Sequence, residues 1–333
     1  MRHFHTSLLG LALLAFGALP ASAQETERLT IASWNVAHFY ADPSEYDGKL
    51  AKYERSSDDL ALLQAYASDL DADVIVFQEL DSEAAATILL PQGYCFEASP
   101  RDSGNPISSR QRVVVAFRAA LVSDADGCRD RVTWHSALGL EGDHLRFGAD
   151  FALPLGTDTI RFLGLHLKSA CHANRLDLEA TLESDASRRD RREAKACARF
   201  AAQAHVLNDW IEARVAEGGA FMLLGDFNRR FDAEGAEHDG RWVWPMLSDG
   251  DPIGQSLVRP TRFQKSPCWR GEKYERYIDH FVMNERAAAL VTLGSFSQPV
   301  YDAPFAGDDE MGWRLSDHCA IRITLSAPGE PAS

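Results

Sequence analysis

Ionisable and amide side chains in this chain stand directly beside short apolar runs. Asn35 follows Ile31–Trp34, Gln78-Glu79 follow Val74–Phe77, and His166 follows Phe162–Leu165. Gly225-Asp226-Phe227-Asn228 follow Met222–Leu224, Asp279-His280 follow Tyr277-Ile278, and Ser316-Asp317-His318 precede the last apolar run. Asp, Asn and Gly at such places also serve as turn formers. Glu and His have no special turn role, so the set together points to one cleft at which strand ends converge. Glu79, Asp226, Asp317 and the amide oxygens of Asn35 and Asn228 are hard donors, suited to Mg²⁺, Mn²⁺ or Ca²⁺ rather than zinc. His166 and His318 can move protons near neutral pH, and Asp279 can orient one of them. A hard cation with a His–Asp pair suits hydrolysis of a phosphate ester. Arg229 and Arg230 directly follow Asn228, where they can reach phosphates flanking a scissile one.

The elements that must position these groups are legible as short apolar segments. Leu29–Trp34, Val74–Phe77, Val113–Phe117, Ile160–Leu167, Phe221–Leu224, Ile278–Met283 and Ala320–Leu325 read as buried strands. Asp58–Leu70 and Arg192–Val215 carry apolar residues at helical spacing, and Gly218-Gly219 stops the second. Strands mixed with helices indicate an α/β or α+β chain. No repeat, low-complexity tract or Gly/Ser linker divides it, so one domain over 24–333 is expected.

The first 23 residues differ. Arg2 leads into the apolar run Leu8–Leu19, followed by Ala21-Ser22-Ala23. This pattern predicts a secretory signal peptide cleaved after Ala23; the run is too short to span a bilayer, which needs about 20 residues. Export gives meaning to the cysteines, which number 6 with no Cys-x-x-Cys pair, and disulfides are expected. Cys171–Cys197 is the favoured bond, across a polar loop; Cys95–Cys128 and Cys268–Cys319 follow from sequence order alone. The formal charge of -15 speaks against general affinity for nucleic acid, but the cations cluster at Arg110/Arg112, Arg188–Arg192 and Arg229/Arg230. His280 should point away from Asp279 by strand alternation and serve the structure. His38 and His172 read as loop residues, His38 within possible reach of substrate, and Trp34, Trp242 and Trp244 as packing residues.

Taken in order, Asn35, Gln78-Glu79, Gly225-Asp226-Phe227-Asn228, Ile278-Asp279-His280 and Ser316-Asp317-His318 resemble the endonuclease/exonuclease/phosphatase superfamily, with the deoxyribonuclease I-like fold. The segment His166-Leu167-Lys168-Ser169 before Cys171 looks like the exported bacterial nuclease-type members. The resemblance implies a four-layer α/β/β/α sandwich of two packed mixed sheets. It implies that Glu79 binds a divalent metal with Asn35 and Asp317 nearby, and that His318 is the general base, oriented by Asp279. Asp226 and Asn228 would hold the scissile phosphate or the nucleophile, and His166 would donate a proton or hydrogen bond. One departure concerns His166. Some nucleases orient this histidine with a carboxylate on the middle strand, whereas the corresponding stretch here, Ser108-Ser109-Arg110-Gln111-Arg112, has no acid.

The superfamily spans nucleases, inositol-phosphate phosphatases and sphingomyelinases, so the fold does not choose the substrate. Export argues against phosphoinositides of cytosolic leaflets, and no apolar hairpin suggests membrane docking. The expected activity is therefore that of a secreted or periplasmic, Mg²⁺-dependent nuclease cutting DNA phosphodiesters, with Mn²⁺ or Ca²⁺ as other candidate metals. The alternative is a phosphatase or a phospholipase-type, sphingomyelinase-like phosphodiesterase. The chain is expected to be monomeric, with DNA as substrate, no evident protein partner and no stable membrane association.

Overall fold

The computed structural model describes residues 27–100, 111–122, 128–173, 175–235, 241–253, 255–268, 275–301 and 315–327. The expected signal peptide and Ser108–Arg110 lie outside these residues.

Eleven strands are described: β1 (Arg28–Phe39), β2 (Val74–Leu80), β3 (Tyr94–Ala98), β4 (Arg112–Arg118), β5 (Thr133–His135), β6 (Gly148–Leu155), β7 (Asp158–His166), β8 (Ala220–Asp226), β9 (Leu257–Val258), β10 (Asp279–Asn284) and β11 (Ile321–Ser326). They form two mixed sheets, ordered β11-β1-β2-β4-β3 and β5-β6-β7-β8-β10-β9. Along each central strand alternate side chains face opposite ways, and both faces are buried. Ile31, Val74, Val76, Phe162, Met222 and Phe281 meet between the sheets. Trp34, Ile75 and Phe77 instead face helix α1 (Ser57–Asp69) and helix α2 (Glu83–Leu89), whose Leu63, Ala67, Ala86 and Leu89 cover the first sheet. Helix α3 (Arg188–Glu217) covers the second sheet with Phe200, Ala204, Leu207 and Ile211 against Leu163, Phe221 and Leu223. The result is the α/β/β/α sandwich.

The expected strands and both expected helices are present; β1, β2, β4, β7, β8 and the second helix run longer than expected, while the first helix, β10 and β11 are shifted by one residue. Helix α3 begins at Arg188 rather than Arg192, because Ser187 and Asp190 form a reciprocal capping box there. Its end is Gly218, at φ +71°. Strands β3, β5, β6 and β9 are additions to the pattern read from the sequence. Strand β6 carries Pro154, and β5 and β9 have only three and two residues, so their pairing rests on neighbours more than on local propensity.

All six cysteines are paired: Cys171–Cys197 as favoured from the sequence, and Cys95–Cys128 and Cys268–Cys319, the weaker pairs suggested by order along the chain alone. Among the described residues no helix is long and apolar enough to cross a membrane.

Two glycines set the approach of the central strands. A Cβ on Gly164 would lie 2.6 Å from Val76 Cγ1, so this glycine lets the sheets close upon each other. A Cβ on Gly225, at φ +143°, would lie 2.0 Å from the carbonyl oxygen of Leu165. Only glycine fits between β7 and β8 at that point. Gly225→Ala is therefore expected to destabilise the fold by about 3 kcal/mol or more. Urea unfolding of the two proteins measures this.

Candidate active site

Strand register brings the first three groups together. In β7–β8 His166 lies opposite Asp226, and in β8–β10 Asp226 lies opposite Asp279. His166, Asp226 and Asp279 thus end neighbouring strands at one level. From the other sheet Asn35 lies opposite Gln78, and the ladders around Glu79 are broken by register shifts. Glu79 sits in that irregularity at φ +64°. Ala37, His38 and Asn228 also have positive φ, at 51°, 50° and 50°. Such non-glycine conformations cost on the order of 1–3 kcal/mol each and gather at functional sites. Here they turn side chains off the ends of regular strands into the cleft.

His318 Nδ1 donates to Asp279 Oδ2 at 2.8 Å. Its Nε2 lies 3.8 Å from Asp226 Oδ2 and 4.0 Å from Asp317 Oδ1. Asp226 accepts from the Asn228 backbone at 2.7 Å, from Asn228 Nδ2 at 3.0 Å and from Asn35 Nδ2 at 3.1 Å. His166 Nε2 lies 3.5 Å from Asp226 Oδ2 and 3.7 Å from Glu79 Oε1. Glu79 also accepts from Asn35 Nδ2 at 3.4 Å and from the His38 backbone at 3.0 Å. The resulting network runs from Glu79 through Asn35 and Asp226 to the His318–Asp279 pair.

Burial lowers the pKa of His318, but Asp279, Asp226 and Asp317 outweigh it and hold the imidazole well above its ordinary value. Burial raises the Asp226 carboxyl, with Asp279 adding to this and His318 opposing it. Burial pushes His166 well below the usual histidine range, helped by Arg146, His318 and His38. His166 is therefore neutral, a hydrogen-bond group more than a cationic acid. Its buried Nδ1 has no hydrogen-bond partner among the described residues, which agrees with the missing acid in the stretch before β4.

The oxygen-rich donors fit a hard divalent cation. Glu79, Asn35 and Asp317 are the oxygen donors that could hold it. Among the described residues the tightest set of possible ligand atoms is instead Asp226, Asp279 and His318, all within 4.8 Å of one another. In that set the Nδ1 of His318 is committed to Asp279, which leaves Nε2 facing Asp226 and Asp317.

Arg229 corrects an expectation. Its side chain is 0% exposed, its guanidinium lies 4.2 Å from the Phe200 ring centre, and its Nε lies 3.3 Å from Glu234 Oε1. It cannot reach a flanking phosphate. Burial lowers its pKa to about 10 and raises that of Glu234 to about 7. The two successive arginines differ because the chain turns after Asn228: Arg229 goes into the core and Arg230 is exposed.

His280 is buried, with Nδ1 bonded to the Thr261 hydroxyl at 2.7 Å and Nε2 to the Arg229 carbonyl at 2.9 Å. Trp34 is also buried and donates to Tyr301 at 2.9 Å. His38 belongs to β1 rather than to a loop, and its Nε2 lies 3.5 Å from Glu79 Oε2.

Two arginines escaped the sequence reasoning. Arg55 donates to the carbonyls of Val36, Ala37, His38 and Leu315 at 2.5–3.0 Å, tying the end of β1 to the segment before Asp317. Arg146 donates to the carbonyls of His166 and Leu167, and Asn228 Nδ2 shares the Leu167 oxygen. Neither stands in a motif. Their partners are main-chain oxygens, which leave no mark on residue type.

An open cavity of about 390 Å³ adjoins Asp279, Asp317 and His318. It lies within the range of small-ligand pockets, about 300–1,000 Å³.

The match to the model described as "Endonuclease/Exonuclease/phosphatase family" covers residues 32–318. The chain belongs to the endonuclease/exonuclease/phosphatase family. Members of this family are hydrolases acting on phosphoester bonds and generally use divalent metal ions. Among solved structures, the chain is similar to a variant of the 3′ phosphatase NExo from Neisseria bound to a product DNA hairpin. That match has 17% identity and a TM-score of 0.52, covering 90% of this chain and 100% of the other. It is also similar to the AP endonuclease LMAP from Leishmania major, at 16% identity and TM-score 0.51, covering 91% and 89% of the two chains. A family protein from Leptotrichia buccalis C-1013-b matches at 14% identity and TM-score 0.50, covering 90% and 100%. These likenesses show the fold. No curated protein sequence matches the chain.

Two outcomes follow for this family member. Asp279→Asn should lower the pKa of His318, because the largest upward influence on it is removed; NMR titration of the His318 ring measures the shift. Arg229→Ala should destabilise the fold by about 3–5 kcal/mol, by leaving the Glu234 carboxylate buried without its partner. Chemical denaturation checks this, and a change confined to the salt dependence of activity would contradict it.

Proposed function

We propose that this protein is an exported, metal-dependent phosphodiesterase, most specifically a nuclease that hydrolyses DNA backbone phosphodiesters. The observation that carries this reading is the His318–Asp279 pair beside Asp226 and Asp317, at the mouth of a cleft reached by Arg230. The His–Asp pair suits activation of water, and the arginine suits a polyanion. The three disulfides are compatible with export after cleavage at Ala23.

In this reading His318 takes a proton from the attacking water through Nε2. Asp279 fixes the Nδ1–H tautomer and stabilises the imidazolium that forms. Asp226 and Asn228, joined by two hydrogen bonds, hold the scissile phosphate or the nucleophile. Neutral His166 donates a hydrogen bond to a phosphate oxygen. Glu79, with Asp317 and Asn35, would hold Mg²⁺, Mn²⁺ or Ca²⁺, which when bound neutralises phosphate charge. Arg230 pairs with a phosphate beyond the scissile one.

The test is turnover of DNA, RNA, a phosphoinositide and sphingomyelin with each metal or with chelator. DNA cleavage that requires the metal is expected. Turnover of sphingomyelin or of a phosphomonoester alone would replace the nuclease reading with the phospholipase or phosphatase one. His318→Ala should cost about 10²–10⁴ in turnover. Asp279→Asn should cost less, and the double variant no more than the worse single, because the pair acts as a unit. A double-mutant cycle with thermal melts checks this, and strictly multiplicative losses would mean that the two do not act together.

A further inference from the structure

The cavity beside His318 has a prebuilt wall. The Cys268–Cys319 disulfide anchors it, and Cys319 directly follows His318. Ser266 Oγ donates to Gln298 Oε1 at 2.6 Å, Gln298 Nε2 donates to the Cys319 carbonyl at 3.3 Å, and the Cys268 amide donates to Ser266 Oγ at 3.3 Å. Disulfide and hydrogen bonds thus close a ring, so the wall needs no ligand to order it. Tyr277 and Ile278 also line the cavity, directly before Asp279.

Two cations edge this space. Arg230 and Arg276 both line it and both are exposed. Arg276 donates to the Asp232 carbonyl at 2.8 Å and, among the described residues, forms no ion pair with a carboxylate. The cavity therefore combines apolar surface, amide and hydroxyl groups and two positive charges, beside a site for one phosphate. A compound with a ring system and a second anionic group fits that chemistry. An unstacked nucleotide turns such a ring system outward toward a concavity of about 390 Å³, whereas an intact duplex keeps its bases stacked inward and presents only sugar and phosphate.

We propose that this cavity receives one unstacked nucleotide of a single strand, whose adjoining phosphate pairs with Arg230 and Arg276. The protein is then a nuclease of single-stranded or frayed nucleic acid. This rests on the phosphodiesterase reading of the site and adds the substrate form. Removing a base from a duplex costs a few kcal/mol that a single strand does not incur, so the preference follows from the shape of the cavity.

The experiment has two arms on the full chain. In the first, thymidine 3′,5′-bisphosphate and thymidine 3′-monophosphate are titrated by calorimetry with chelator, so that turnover cannot contribute. The bisphosphate should bind about tenfold tighter, and Arg230→Ala or Arg276→Ala should abolish that advantage. Ala233→Trp, at an exposed position lining the cavity, should weaken both ligands by about tenfold. Melting curves confirm folding.

In the second arm, cleavage of a short oligonucleotide is compared with cleavage of the same strand in a duplex. Methyl para-nitrophenyl phosphate serves as a substrate too small to need the cavity. The single strand should be cut with kcat/KM higher by about tenfold or more. Ala233→Trp should remove that preference and leave methyl para-nitrophenyl phosphate turnover unchanged. Equal cleavage of strand and duplex overturns the proposal, while turnover of the methyl ester leaves the phosphodiesterase reading intact. If no metal supports methyl ester turnover, the reading of the site fails; equal binding of bisphosphate and monophosphate then overturns the pocket independently.

Discussion

Strands β7, β8 and β10 lie side by side with His166, Asp226 and Asp279 opposite one another. The rest of the site depends on this register. A shift of one residue in any of the three strands would send its polar side chain to the other face of the sheet. The register is held by the apolar residues behind it, which are buried on both faces, and by Gly225, the one residue type that fits beneath the Leu165 carbonyl. Core packing and catalytic geometry are thus one constraint. The same close approach is repeated between the sheets at Gly164 and Val76.

The first sheet supplies the remaining groups through less regular backbone. Glu79 and His38 occupy positive φ, where the ladders between β1, β2 and β4 lose register. That conformation is held from outside by Arg55, which bonds to successive carbonyls of β1 and to Leu315. On the opposite side Arg146 bonds to the carbonyls at the end of β7, one of which Asn228 shares. Two arginines with carbonyl partners therefore brace the two sides of an acidic cleft. Their charges also bear on it: Arg146 helps to keep His166 neutral.

Electrostatics separates the two histidines. His166 is buried and His318 only partly exposed; desolvation prevails at His166, whereas three carboxylates prevail at His318. One imidazole is suited to a neutral hydrogen bond and the other to gaining a proton. Arg229 and Arg230 divide in a similar way. The first is held in the core by Glu234 and Phe200, and the second stays at the cleft.

The sequence by itself determined the alternation of apolar runs with polar strand ends, and hence the mixed α/β class. It also placed the main helices and put Asn35, Glu79, His166, Asp226, Asp279 and His318 in or beside the ends of strands. These are local properties, written in residue type and spacing. The cysteine pairs were partly legible too, because their order along the chain matched their order in space. Only the tertiary structure decided that Arg229 turns inward and that Arg55 and Arg146 brace the cleft. It also decided that Cys268, Gln298 and Ser266 form the wall of a cavity next to His318. Each of these depends on contacts between segments far apart in the chain, and several run to main-chain oxygens, which every residue carries and no sequence pattern can mark.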